Sequence, residues 1–222
     1  MSSRSMNCVA KSMRGSTRGV AVAAVLVAAA GCGRSLPPLE RYRLEPVAMA
    51  DTQGAHPGNG RLAGQSIVVL PYEAPGIYAD PQIVYRIDET RYGTYPDREW
   101  AIPVSTMLAD RTADILRTAP ADVTVGGTTP NAGLVWRGTV REFEEVNRGD
   151  QVFAAVRLQA MLLRGTTDSV VWQGEARAER PVEQKKQMEA VVQALSAAST
   201  DAVRQLMAQA NGSPGGIARA SR

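Results

Sequence analysis

Beyond residue 32 the chain contains no cysteine, and Cys8 and Cys32 are the only two it has. Its single histidine, His56, lies in the stretch MADTQGAHPGNGRLAGQ, residues 49–65, whose Gly and polar content reads as a loop. These shortages exclude a disulfide framework, and they leave a structural zinc site without ligands. A loop histidine with no partner in sight is a poor general base, so it reads as exposed. No G-x-x-x-x-G-K-[ST] occurs, and Gly126-Gly127 runs into Thr-Thr-Pro rather than opening a helix, so nucleotide chemistry has no signature here. Aromatics make up only 5% of residues, so the core must be built from Val, Leu, Ile, Ala and Met. Only Lys185 and Lys186 follow residue 31, the remaining cations there being arginines. Long apolar runs are missing too. The twelve residues Gly19 to Ala30 would span about 18 Å as a helix, short of a hydrocarbon core of about 30 Å.

The net charge of +3 has a local origin. Arg4, Lys11, Arg14 and Arg18 precede the apolar run, and residues 1–31 carry no acid. Without these four, 21 basic side chains face 22 acidic ones. A nucleic-acid reader keeps its basic footprint on the folded domain, and this chain does not.

What is present begins with that segment. A basic stretch from Lys11 to Arg18, a small apolar run and Gly31 ahead of Cys32 follow the order of a secretory signal, with Met1 or Met13 as its start. The sequence Ala29-Ala30-Gly31-Cys32 resembles a bacterial lipobox, which implies cleavage after Gly31 and diacylglycerol and acyl chains on the Cys32 sulfur. A bare cysteine left unpaired in an oxidising compartment would be a hazard, which favours the anchor. Two or three acyl chains hold a protein to a bilayer where one is marginal.

The mature chain divides into a tether with a short strand (32–65), one domain (66–210) and a disordered tail (211–222), with residues 1–31 as the signal. Pro37-Pro38 favour an extended tether. Strands are predicted over Tyr42–Val47, Ser66–Pro71, Ile83–Ile87 and Asp122–Val125. Three more, Leu134–Val146, Gln151–Leu163 and Ser169–Glu179, are joined by the short links NRGD and RGTTD and predict an antiparallel meander. Val152, Ala154, Val156, Leu158, Ala160 and Leu162 mark its core side, and a phase change between Val140 and Phe143 predicts a bulge. One helix is predicted from Pro103 to the turn before Pro120, another from Glu183 to Ala210, stopped by Asn211-Gly212 and Pro214. The class is α+β: a mixed or antiparallel sheet with two helices on one face.

Glu142, Glu144, Glu145 and Asp150 form one acidic cluster. Carboxylates at i and i+2 share a strand face, as a hydrolytic pair would, but beside a hairpin turn they read more simply as its wet side. With no catalytic set, the reading is non-enzymatic, with no cofactor and no metal.

Two segments remain, YADPQIVYR (Tyr78–Arg86) and REWAIPV (Arg98–Val104). Each alone reads as a packing corner. Together with the lipobox, Tyr42-Arg43-Leu44 and SIVVLP, they resemble the ABC-type transport auxiliary lipoproteins of the PqiC-like kind. Pro81, Gln82, Ile83, Val84 and Arg86 match one motif, and Trp100, Ala101 and Pro103 the other. Asp80 and Ile102 depart from the pattern. The resemblance implies an accessory lipoprotein of an intermembrane lipid transport system. Its partners would be a mammalian-cell-entry (MCE) protein and an ABC permease and ATPase, with the lipid anchor at the periplasmic face of the outer membrane. It implies partner contact through Pro81, Gln82, Arg86 and Trp100, while a free strand edge would support a homo-oligomer. The alternative, an independent ligand-binding lipoprotein serving an ABC importer, sits poorly with a short chain lacking a doubled α/β pattern.

Overall fold

Alternating apolar residues in three long segments build the centre of the molecule. β6 (Leu134–Arg148), β7 (Gln151–Arg164) and β8 (Val170–Pro181) pair antiparallel in sequence order. In this computed structural model, residues 38–47, 60–119, 121–127, 133–184 and 187–212 are described. The lipobox residues Gly31 and Cys32, His56, Pro120 and the tail beyond Gly212 lie outside them. The turn between β6 and β7 places Gly149 at φ +59°, a conformation suited to a residue without Cβ. The bulge expected after Val140 is present: the register shifts between Val140 and Glu142.

The other elements are β1 (Glu40–Tyr42), β2 (Ser66–Val69), β3 (Gln82–Arg86), β4 (Tyr92–Trp100), α1 (Val104–Leu116), β5 (Asp122–Val125) and α2 (Met188–Gly212). The eight strands form one mixed sheet that forks at β6. Near its start β6 pairs in parallel with β2, and β2 with β5. Near its end β6 pairs in parallel with β3, whose other neighbour, β4, carries β1. Glu73 bridges the gap, its N–H donating to the Gly138 carbonyl at 2.8 Å and its carbonyl accepting from Val140 N at 2.8 Å. Gly138 is required in this fork, because a Cβ there would fall about 2.1 Å from the Tyr72 ring.

Both helices cover one face. Val104, Met107, Leu108, Ile115 and Leu116 of α1 share a core with Val191, Leu195, Val203 and Leu206 of α2 and with Ile67, Trp136, Phe143, Leu158 and Leu162 of the sheet. Burial of that aliphatic area is the main source of stability. Among the described residues no helix is long and apolar enough to cross a membrane.

The structure corrects several expectations. The first strand is Glu40–Tyr42, and Arg43–Val47 leave the sheet. Side chains have captured the backbone there: Glu45 N donates to Ser196 Oγ at 2.9 Å, its carbonyl accepts from Arg111, and Pro46 has no N–H. β4 is a nine-residue strand where the sequence shows no alternation. Its Pro96 is accommodated because the register jumps from Val84–Thr94 to Gln82–Glu99, leaving Pro96 in an irregular stretch that needs no ladder donor. The last helix starts at Met188, not Glu183, because Val182 N still donates to Val152 O at 2.9 Å and prolongs the sheet pairing. It also runs through Asn211 and Gly212, which the sequence assigned to the tail. Leu62, read as loop, is fully buried, with its N–H held by Asn211 Oδ1 at 3.1 Å.

A buried cation joins the two helices. Arg111 occupies the apolar stripe of α1, and its Nη1 donates to Ser196 O at 2.6 Å and Thr200 Oγ1 at 2.5 Å. Burial lowers its pKa to about 10, with Asp114 and Glu45 only partly offsetting this. Arg111→Met keeps the bulk and removes the donors. It should cost about 1–2 kcal/mol, read from a urea midpoint, with faster amide exchange at Glu45.

Candidate functional site

The branch β3–β4–β1 gathers the two sequence motifs into one corner. Trp100 N–H donates to Pro81 O at 2.7 Å, and Ala101 N–H donates to Tyr42 O at 2.7 Å, so the motif segments lock onto each other and onto β1. Gln82 lies opposite Glu99 in the ladder, its Nε2 donating to Glu99 Oε1 at 3.4 Å, and Arg41 reaches the same carboxylate at 3.6 Å. The Trp100 indole turns inward, 5% exposed, with its ring 5.5 Å from that of Phe143 at an interplanar angle of 60°. Such tilted aromatic contacts are favourable beyond the area they bury.

Arg86 stands at the other end of β3. Its Nε lies 2.8 Å from Glu144 Oε1, and its guanidinium sits 5.9 Å above the Tyr92 ring. Glu144 is fully buried, and Tyr78 OH donates to its second oxygen at 2.5 Å. Burial pushes the Glu144 carboxyl up, against the lowering effects of the Tyr78 hydroxyl and Arg86. Burial and the bond to Glu144 push the Tyr78 phenol well above its ordinary value.

Thus Pro81, Gln82 and Trp100 come together, and Arg86 does not join them. Pro81 is exposed, Gln82 and Arg86 are half-buried, and Trp100 is buried.

The acidic cluster is only in part the wet side of a hairpin: Asp150 is exposed and Glu142 half-buried, but Glu144 and Glu145 are not on a wet side. Glu144 and Glu145 are both buried: as consecutive residues of β6 they point to opposite faces of the sheet, and each is covered on its own side. Glu145 accepts from Tyr95 OH at 2.9 Å and Asn147 Nδ2 at 3.0 Å. Glu142 pairs with Arg177 at 2.9 Å, Arg177 with Glu179 at 2.8 Å, and Glu179 with Arg148 at 2.6 Å. The side chains that could form a hydrolytic pair are therefore held in ion pairs. Among the described residues no group of three His, Cys, Asp or Glu side chains could hold a metal ion. The surface depressions are open and of mixed lining. One of about 540 Å³ beside α1 is bordered by Glu45, Ile102, Met107, Arg111 and Asp114.

Sequence reasoning passed over Arg111, although its place on the α1 stripe was a signal. It also missed β4, the strand that pairs with the predicted Ile83–Ile87 strand and carries Tyr92, where no apolar pattern marks the residues.

The family model for the ABC-type transport auxiliary lipoprotein component matches residues 42–207. Among solved structures, the chain is similar to protein XCC0632 from Xanthomonas campestris, at 22% identity and a TM-score of 0.58, covering 76% of this chain and 90% of that one. An uncharacterised protein is similar at 14% identity and a TM-score of 0.58, covering 77% and 97%. Both likenesses concern the fold. A comparison with curated proteins finds no match.

Proposed function

The chain belongs to the family of ABC-type transport auxiliary lipoprotein components, and from that premise we propose that it is the accessory lipoprotein of an MCE-associated intermembrane lipid transport system. Lipid chains on Cys32 hold it at the periplasmic face of the outer membrane, where it docks the conduit formed by the MCE protein. The inner-membrane permease and ATPase supply the energy. The role is non-catalytic, and the long outer edge of β8 is the candidate contact between copies. The observation that carries this reading is the family match over 42–207, which spans the whole fork of the sheet. The ion-paired state of the acidic cluster agrees with it.

The partner meets the corner at exposed Pro81 and half-buried Gln82, while buried Trp100 positions it from behind. Purification of the tagged full-length protein from detergent-solubilised membranes should recover an MCE-domain protein together with permease and ATPase. Recovery of none of them counts against the reading. Gln82→Ala should reduce the recovered MCE protein about tenfold without moving the unfolding midpoint. An unchanged yield would remove Gln82 from the contact.

A further inference from the structure

We infer that the β3–β4 hairpin tip is a second, non-covalent membrane contact that seats the domain on a zwitterionic phospholipid surface. This inference rests on the anchored-lipoprotein reading. β1 runs parallel to β4, with Glu40 beside Arg98 and Tyr42 beside Trp100. The chain therefore enters β1 from the side where β4 begins, and that is the side of the hairpin turn. Leu39 stands about level with Asp97. Because Glu99 pairs with Gln82 and Tyr92 with Arg86, the β4 residues between them span only four positions of β3, about 13 Å, so Tyr92 lies less than that beyond Leu39 towards the same side. Seven peptide steps connect Leu39 to Cys32, a reach of at most about 25 Å. An acylated Cys32 thus leaves the hairpin tip within range of the bilayer holding the anchor. The far end of the sheet, where Met161 and Val170 lie, is the membrane-distal end.

The tip has the chemistry for an interface. Ile87 and Tyr92 flank the turn on opposite faces of the hairpin, each 43% exposed, and Leu39 beside the tether is 44% exposed. Ile87 N–H donates to Arg91 O at 2.9 Å, and Asp88 Oδ1 accepts from Thr90 N at 3.0 Å and Arg91 N at 2.9 Å, so the turn is held in one shape. Arg86 lies beneath the Tyr92 ring and fixes the base. A phenol beside an aliphatic group suits the headgroup boundary, with the ring in the apolar layer and the hydroxyl in water. Charge selects the kind of surface. Arg91 is neutralised by Asp88 at 2.5 Å and Arg148, at the neighbouring β6–β7 turn, by Glu179 at 2.6 Å, whereas Glu89 and, in that turn, Asp150 are exposed. The tip is therefore net negative and is repelled by anionic lipid.

The test uses residues 32–222, whose single thiol is coupled to a maleimide phospholipid in phosphatidylcholine vesicles. Because this coupling is chemical, the result does not depend on whether cells acylate Cys32. The reporters are Tyr92→Trp and, at the far end, Thr167→Trp, each against the unsubstituted chain, whose three tryptophans are buried. Brominated phosphatidylcholine should quench about half of the added fluorescence of Tyr92→Trp and none of that of Thr167→Trp. Adding phosphatidylglycerol should reduce the quenching. The pair Ile87→Asp and Tyr92→Asp should transfer between vesicles about tenfold faster, with an unchanged far-ultraviolet spectrum. Equal quenching of both reporters, none at position 92, more of it with anionic lipid, or unaltered transfer would each overturn the contact.

Discussion

Trp100→Ala is expected to remove about 3–5 kcal/mol of unfolding free energy, the range for deleting a buried large aromatic. The indole is 5% exposed and packs at a tilt against Phe143 from the central strand, so its loss opens a cavity between the β3–β4–β1 branch and the trunk of the sheet. The bond from Trp100 N to Pro81 O is backbone and survives, which limits relaxation around the hole. A domain of this kind holds about 5–15 kcal/mol in total, so the variant is close to unfolding. Urea denaturation should show a lowered midpoint with an unchanged slope, and Trp100→Phe should recover most of the loss. A Trp100→Ala variant within 1 kcal/mol of the original would mean that the indole is not part of this core. Under the proposed function, loss of MCE protein in the Trp100→Ala purification would be a positioning effect, because Gln82→Ala is expected to weaken capture without the stability cost.

Arg86→Ala should cost about 3–5 kcal/mol at neutral pH, because it leaves the fully buried Glu144 carboxylate without its cation. The dependence on pH has a definite sign. Burial already raises the Glu144 carboxyl, and Arg86 opposes that rise, so the substitution raises it further. An acid whose folded pKa exceeds its unfolded value of about 4.3 loses stability as pH rises through the interval between the two. The deficit of Arg86→Ala is therefore smallest below the unfolded pKa, where Glu144 is protonated in both states. It grows to its full size above the folded pKa. Unfolding free energies across pH 4 to 8 test this, and adding Glu144→Gln should flatten the slope. A deficit that does not change with pH would place the cost in packing and remove the ion pair from the account.

The long, regular elements were legible because their patterns are redundant. From Val152 to Leu162 of β7 every second residue is apolar and buried, so the message is repeated six times, and the bulge in β6 appeared as a break in its own rhythm. α1 and α2 announced themselves through apolar stripes. β4 did not, since its stability comes from pairing with β3 and β1, and Pro96 hides in the register jump. The parallel pairs of β6 with β2 and β3 are long-range contacts that no local pattern encodes. At the site, Pro81, Gln82 and Trp100 did come together while Arg86 did not, and their orientation was not in the sequence. Trp100 faces Phe143, and Glu144 was misread because alternation beside a polar turn does not reveal a covering segment. Here the Gly76–Tyr78 turn brings the Tyr78 hydroxyl over it.

The measurement bearing most directly on the central claim is the mass of the N-terminal peptide of the protein taken from native membranes. The account predicts a chain beginning at Cys32 and carrying diacylglycerol, with or without a further acyl chain, recovered entirely in the membrane fraction. A soluble periplasmic chain with an unmodified Cys32 thiol would contradict it.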